Sequence, residues 1–359
     1  MLLHLDKGFR RHRASSIALG LLLSLTGCGT HSATPITSNT GTTTTGTAGN
    51  VAAGPVMGYV WDSAAKGLRP VLGLPGAAYF GAPIFADGSF AAATACAHKN
   101  YAVLTGTSGA VFFVSLPSGQ PTHLAEALSA RQQIAFSPGC SSALVYASDA
   151  SAVLLLDGLP STPSAKIVQL SNSAPLAGAA VADSGAILVA FNQPGGGVSV
   201  AGVAADGSLV PAIASLTGFG GLAFLPGSDN ALLADAGKNI LWRQSGLSTG
   251  AALTQVAAAT DGISLPSAVG TSADGRWALI LNTGLATSIV RIDLSKKLAS
   301  ERVACSCSPS GLLPMSGNLV FRLNELGSGP LWVFDGDMAS SRVMFVPEVK
   351  RTNPAGAAQ

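Results

Sequence analysis

The side chains able to do chemistry are few in this sequence. Beyond residue 54 there are four cysteines, Cys96, Cys140, Cys305 and Cys307, and two histidines, His98 and His123. Glutamate in that region is confined to Glu126, Glu301, Glu325 and Glu348. General acid–base or metal chemistry needs several such groups brought to one point, and no spacing here does so. His98 sits in the turn-like Ala-His-Lys-Asn, and His123 in a Pro-Thr-His connection. Cys305-Ser306-Cys307 can act as a redox or metal pair, but a zinc site would call for a second ligand pair nearby. Gly218-Phe219-Gly220-Gly221 resembles a phosphate loop only loosely and reads as a connector. Asp335-Gly336-Asp337 reads as a turn before it reads as a calcium ligand pair. No nucleophile elbow, Walker loop or His-Glu-x-x-His is present. Trp277, just after the Asp274-Gly275-Arg276 turn, is the one candidate contact residue. The sequence thus points to no catalytic residue, metal or cofactor.

The elements that must carry these residues are short strands. Runs rich in Val, Leu, Ile and Ala alternate with turn signals, among them Asp87-Gly88, Asp157-Gly158, Asp206-Gly207, Asp261-Gly262, Asp274-Gly275 and Asp335-Gly336. Asp-Gly supplies the positive φ of tight hairpins. Helical periodicity is scarce; the segment 121–134 offers one short helix or a connecting loop.

The strands repeat. Segments 134–159, 268–294 and 312–337 each read strand, tight turn, strand, loop, strand, and end in Asp. The distance from turn glycine to that Asp is 18 residues in all three: Gly139 to Asp157, Gly275 to Asp293, Gly317 to Asp335. Weaker copies occupy 91–116, 179–203 and 222–247. A four-stranded unit recurring every 40–50 residues is the signature of a β-propeller blade. The physical reason is that a lone twisted sheet exposes two apolar faces, and a ring of such sheets buries both. The expected fold is all-β: six complete four-stranded blades between residues 78 and 348. Ahead of them a hairpin at 58–73 resembles the outer half of a module and can form a partial seventh blade. That alignment sets Tyr59-Val60-Trp61-Asp62 against Trp332-Val333-Phe334-Asp335. Trp61-Asp62 resembles the WD dipeptide of WD-type repeats, which the other copies lack, so no propeller family is assigned.

The modules also order the cysteines. Four thiols allow three pairings. Cys96 and Cys140 lie near the first turns of adjacent modules, and Cys305 and Cys307 lie on a connection at the opposite face. The favoured pairs are Cys96–Cys140 and Cys305–Cys307, in keeping with an exported protein.

Export is read from the N-terminus. Lys7, Arg10, Arg11 and Arg13 precede the uncharged run 14–25, and small residues follow. This is the pattern of a secretory signal peptide, and the run is too short to span a bilayer. Leu25-Thr26-Gly27-Cys28 resembles the lipobox of bacterial lipoproteins. The resemblance implies cleavage before Cys28 and acylation of Cys28. Two or more acyl chains give stable attachment. It further implies an extracytoplasmic, lipid-anchored protein of the bacterial cell envelope. Gly29 in place of Asp favours the outer membrane if the source is didermic. Residues 29–54 hold 9 Thr, 5 Gly and 2 Ser and cannot bury enough apolar surface to order themselves. The expected division is signal peptide 1–27, lipidated Cys28 with a tether to residue 54, propeller 55–350 and tail 351–359.

Composition excludes several classes. The formal net charge is +2 and basic residues beyond the signal are scattered, so the clustered face that nucleic-acid binding needs is missing. At 48% apolar residues and 11% charged, a disordered chain is excluded. The function expected is a monomeric, non-enzymatic scaffold that takes a protein or glycan partner at one propeller face. In address and architecture it resembles the propeller lipoprotein of the outer-membrane barrel-assembly machinery, from whose eight blades it departs. The alternative is a propeller enzyme of the lactonase or sugar-dehydrogenase type, which needs ionisable groups at the axis. For the anchor, Cys28→Ala is expected to move the protein into the soluble fraction of broken cells; a variant that stays with the membrane contradicts acylation at Cys28.

Overall fold

A computed structural model describes residues 54–348, apart from 97, 130, 173, 205–206, 248–251, 296–299 and 328. The signal peptide, lipobox, tether and tail therefore lie outside the described residues. Seven antiparallel meander sheets follow one another along the chain. Each starts with a strand that runs along a central axis: Val56–Asp62, Phe90–Ala95, Gln133–Phe136, Leu176–Val181, Phe219–Phe224, Pro266–Thr271 and Leu313–Pro314. The chain is an all-β propeller. Among the described residues its only helical turn is the single 3-10 turn Ala259–Asp261, and no helix is long and apolar enough to cross a membrane.

The ring has seven blades, which corrects the expectation of six complete blades and a partial one. The first sheet comprises Val56–Asp62, Gly67–Leu72 and Tyr79–Phe80; the other six have four strands. Its third strand is only two residues long and pairs with Val71 and Leu72. Pro and Gly on both sides hide it from any pattern. The module at 58–73 is also not an outer hairpin: Val56–Asp62 is the axial strand of its blade, so Trp61 and Asp62 stand at first-strand positions. Likewise 121–134 is no helix. It holds the outer strand Thr122–Ala125, a connector and the start of Gln133–Phe136.

What closes the ring is packing between blades. Seven buried clusters occur, one at each blade–blade interface. The period-2 alternation of a strand feeds two of them at once. In Trp277–Asn282, Ala278 and Ile280 face the fifth blade, while Leu279 and Leu281 face the seventh. The last interface joins Val320, Leu331 and Val333 of blade seven to Met57, Val60 and Val71 of blade one. Among the described residues no strand is shared across it. A hydrogen bond from Ser316 N–H to the Met57 carbonyl, 2.7 Å, and a parallel bridge between Asp62 and Leu326 align the two blades.

The recurrent Asp has a structural task. Asp157 accepts from the Ser142 hydroxyl at 2.9 Å, and Asp293 accepts from Arg276 Nη2 at 2.9 Å and Nε at 3.2 Å. In both blades the donor stands at the start of the second strand and the carboxylate at the end of the third, which explains the constant spacing of 18. Arg276 and then Ser295 hold the Asp293 carboxyl well below its usual value. A depressed native pKa means the unfolded chain binds the proton first. This contribution is therefore complete above the unfolded value, about 4, and drains away as pH falls below it. Denaturant melts from pH 7 to pH 3 are expected to show a stability loss on the acid side that Asp293→Asn flattens; an unchanged acid limb contradicts this role.

Cys96 and Cys140 come from the first turns of blades two and three, with Cα atoms 6.1 Å apart and sulfurs in bonding contact. Closing a loop of 44 residues restricts the unfolded chain by about 4 kcal/mol on the chain-entropy account. Peptide mapping without reductant is expected to recover the Cys96–Cys140 peptide, and Cys96→Ser/Cys140→Ser to shift denaturant melts downward by up to that amount. Free thiols at both positions contradict the bridge.

Candidate functional site

Because the axial strands converge, small residues are needed where one strand's backbone approaches the next. Gly220 and Gly221 show why. A Cβ on Gly220 would lie 2.9 Å from the carbonyl oxygens of both Ala234 and Pro266, and one on Gly221 2.9 Å from the Val269 nitrogen. Gly221 also has φ 118°, open to glycine and costly for other residues. Gly218 thus stands in the connector the sequence suggested, while Phe219, Gly220 and Gly221 open the axial strand Phe219–Phe224 rather than a phosphate loop. The seven axial strands enclose a channel of about 350 Å³. Its wall is mostly apolar, from Ile134, Phe136, Leu222, Phe224, Val269 and Leu313 among others.

The ring has two unlike faces. Axial strands start at a connector face, where each outer strand feeds the next blade, and end at a turn face. The turn face is stitched from blade to blade. Asp183 accepts the N–H of Gly139 at 2.7 Å and of Gly227 at 3.2 Å, thus joining blades three, four and five. Ser184 donates to Asp229 at 2.6 Å, and Asn318 Oδ1 accepts the Asp274 N–H at 2.9 Å. These partners lie 44 or 45 residues apart, so the stitching follows the blade period.

The connector face is different. Leu74, Leu265 and Leu285 stand there with 64%, 52% and 108% of their surface exposed. Leu265 is held in a left-handed backbone, φ 46°, which is unusual for a branched residue. Asn239 Oδ1 accepts its N–H at 2.6 Å, and the Thr283 N–H and hydroxyl donate to its carbonyl at 3.0 and 3.1 Å. Leu285 follows Thr283 by two residues, so both leucines are presented outward from one anchored junction.

Four ionisable side chains line the channel: Tyr59, His98, Tyr146 and Arg322. Burial pushes the Tyr59 and Tyr146 hydroxyls up, so they stay protonated donors at neutral pH. His98 is exposed at the turn-face mouth, near Cys96 and Cys140, and the protein packed against it pushes its imidazole below its usual value. Arg322 lies at the other end, since it pairs with Leu313, the first residue of its axial strand. Gln133 and Tyr146 pair with each other at the same end in blade three.

The other residues singled out in the sequence are dispersed. His123 lies on an outer strand, edge-on to Phe112 and 3.3 Å from Glu126 Oε1. Trp277 is half-buried, with the guanidinium carbons of Arg276 and Arg291 4.8 and 4.4 Å from its ring centre. Cys305 and Cys307 sit on the connector face with Cα atoms 5.1 Å apart and sulfurs in contact. Among the described residues no group of three or more His, Cys, Asp or Glu gathers to hold a metal. Sequence reading missed Arg322, Leu265 and Leu285, none of which carries a spacing signal.

No family model matches the chain, and no curated protein matches it in sequence. Its likeness is to solved structures. A functionally unknown protein from Desulfotomaculum acetoxidans DSM 771 is 12% identical with a TM-score of 0.55, over 82% of this chain and 100% of that one. The apo form of AztD from Citrobacter koseri is 13% identical with a TM-score of 0.53, over 81% and 82%. The β-propeller domain of Swd1 from Myceliophteria thermophila is 10% identical with a TM-score of 0.51, over 73% and 87%. At such identities the likeness is one of fold, and the fold shared is the β-propeller.

Proposed function

We propose that the protein is a lipid-anchored extracytoplasmic scaffold whose propeller docks a protein partner on its connector face. The observation that carries this reading is the junction of Leu265 and Leu285. A leucine held with positive φ by three hydrogen bonds, its side chain half in solvent, is a strained and costly arrangement, and such strain gathers at functional sites. Two neighbouring leucines, one half and one wholly exposed, suit the apolar centre of a protein interface better than a sugar ring, for which aromatic faces and amide donors serve. The rigid turn face, stitched from blade to blade, supports this role by fixing the geometry that the connector loops present. Cys28 with its Thr-rich tether supports an anchored protein that reaches its partner at the envelope surface. A photoreactive residue placed at 285 in the acylated protein in intact cells is expected to yield one discrete cross-linked protein. Leu265→Ser should abolish that product without lowering the melting temperature. The same residue placed at Met338, exposed on the turn face, should yield none. An equal product from 338, or one indifferent to Leu265→Ser, contradicts the reading.

A further inference from the structure

We infer that the axial channel binds a small amphiphilic carboxylate, whose headgroup is taken by the free edge of the Arg322 guanidinium and whose apolar body fills the channel. The Arg322 end of the channel opens on the connector face, but the channel wall shares no residue with the Leu265 and Leu285 junction, so small-molecule binding is tested apart from docking.

The Arg322 side chain is 6% exposed, and a cation that far from water costs several kcal/mol unless it is well paired. Its pairing is lopsided. Nη1 meets Glu325 Oε2 at 2.6 Å and the Asn324 carbonyl at 3.4 Å. Nε and Nη2 have no hydrogen-bond partner among the described residues. They are also not sealed away as Arg243 Nε and Arg291 Nε are, and Arg322 is among the residues that line the channel, which puts this edge within reach of a ligand there. Nε and Nη2 form the side of the fork that donates two parallel N–H bonds to the oxygens of one carboxylate.

The rest of the wall selects the same ligand. No Asp, Glu or Lys is among the described lining residues, of which Arg322 alone carries a permanent charge; the nearest carboxylate is its partner Glu325, outside the wall. Glu325 is 58% exposed and offsets that charge from the solvent side, which leaves enough for a monoanion and little for a phosphate dianion. Gln133 and Tyr146 reach the same end of the channel from blade three, across the axis from blade seven, and offer an amide and a protonated hydroxyl. Beyond them the wall turns apolar, with Phe224, Val269 and Phe321, as far as Cys96 and Cys140 at the other mouth. A volume of about 350 Å³ is at the small end of the range for ligand sites.

The test is calorimetric titration of the full chain with octanoate, 1-octanol and octylammonium, three probes that share a body and differ in the head. One octanoate per protein is expected, with octanol at least about tenfold weaker and octylammonium not competing. Arg322→Met should cost octanoate about tenfold or more and leave octanol unchanged. Glu325→Gln alters a half-exposed partner outside the wall and should tighten octanoate a few-fold. This second variant decides the matter if Arg322→Met fails to fold. Equal binding of octanoate and octanol, or an octanoate affinity indifferent to Glu325→Gln, overturns the proposal.

Discussion

The structure depends on one constraint: a blade has no polar side. Strands such as Ala231–Asp235 and Tyr101–Gly106 are buried at every position, so an isolated sheet would expose apolar surface on both faces. Burial of each large side chain contributes roughly 1.5–3 kcal/mol, and that gain exists only once a neighbour is in place on each side. The chain must therefore go round until its last blade meets its first. The interface of Met57, Val60 and Val71 with blade seven is not an embellishment of the ring but the condition for it. The terminal blades close by packing and two backbone alignments. Outermost strands elsewhere add to these cores, as Val168 and Val346 do; the first blade manages with three strands because Met57, Val60 and Val71 already meet blade seven from its first two.

The same constraint explains what could be read from the sequence. The spacing of 18 between turn glycine and Asp was legible because two antiparallel strands and one loop of fixed geometry separate them. The period near 44 was legible because every blade must present its first turn at the same height. That also placed Cys96 beside Cys140 and Cys305 on the other face. Of the first blade the hairpin was legible, but not its short third strand or the axial position of its first. Trp61-Asp62 has the look of a third-strand ending, yet Asp62 sits at the end of an axial strand, where it accepts from Arg69 Nε at 2.6 Å. A local dipeptide carries no information about which strand of a sheet it occupies.

The groups that matter at the axis and on the connector face were silent for a related reason. Arg322 lies in Val-Phe-Arg-Leu-Asn-Glu-Leu, where its ion pair with Glu325 three residues on gives no hint that the other edge of the guanidinium is left over. Only ring closure carries blade seven opposite blade three and puts Arg322 and Gln133 at one mouth. Leu265 and Leu285 are ordinary loop leucines in sequence, and their prominence comes from the Asn239 and Thr283 hydrogen bonds that fix the backbone. Sites assembled across blades cannot be seen by any reading that compares blades one at a time.

Polar groups inside the ring separate into two kinds on this view. Gln244 is wholly buried with both amide atoms unpaired, a cost of about 1–3 kcal/mol set between blade faces, where nothing can reach it. Arg322 is nearly as buried but faces open volume. The first is a cost borne inside the fold. The second is a cation whose free edge only something entering the channel can satisfy. The glycines and alanines that let seven strands converge also leave the hollow that this cation faces, so the means of closing the ring and the means of holding a small ligand are the same residues.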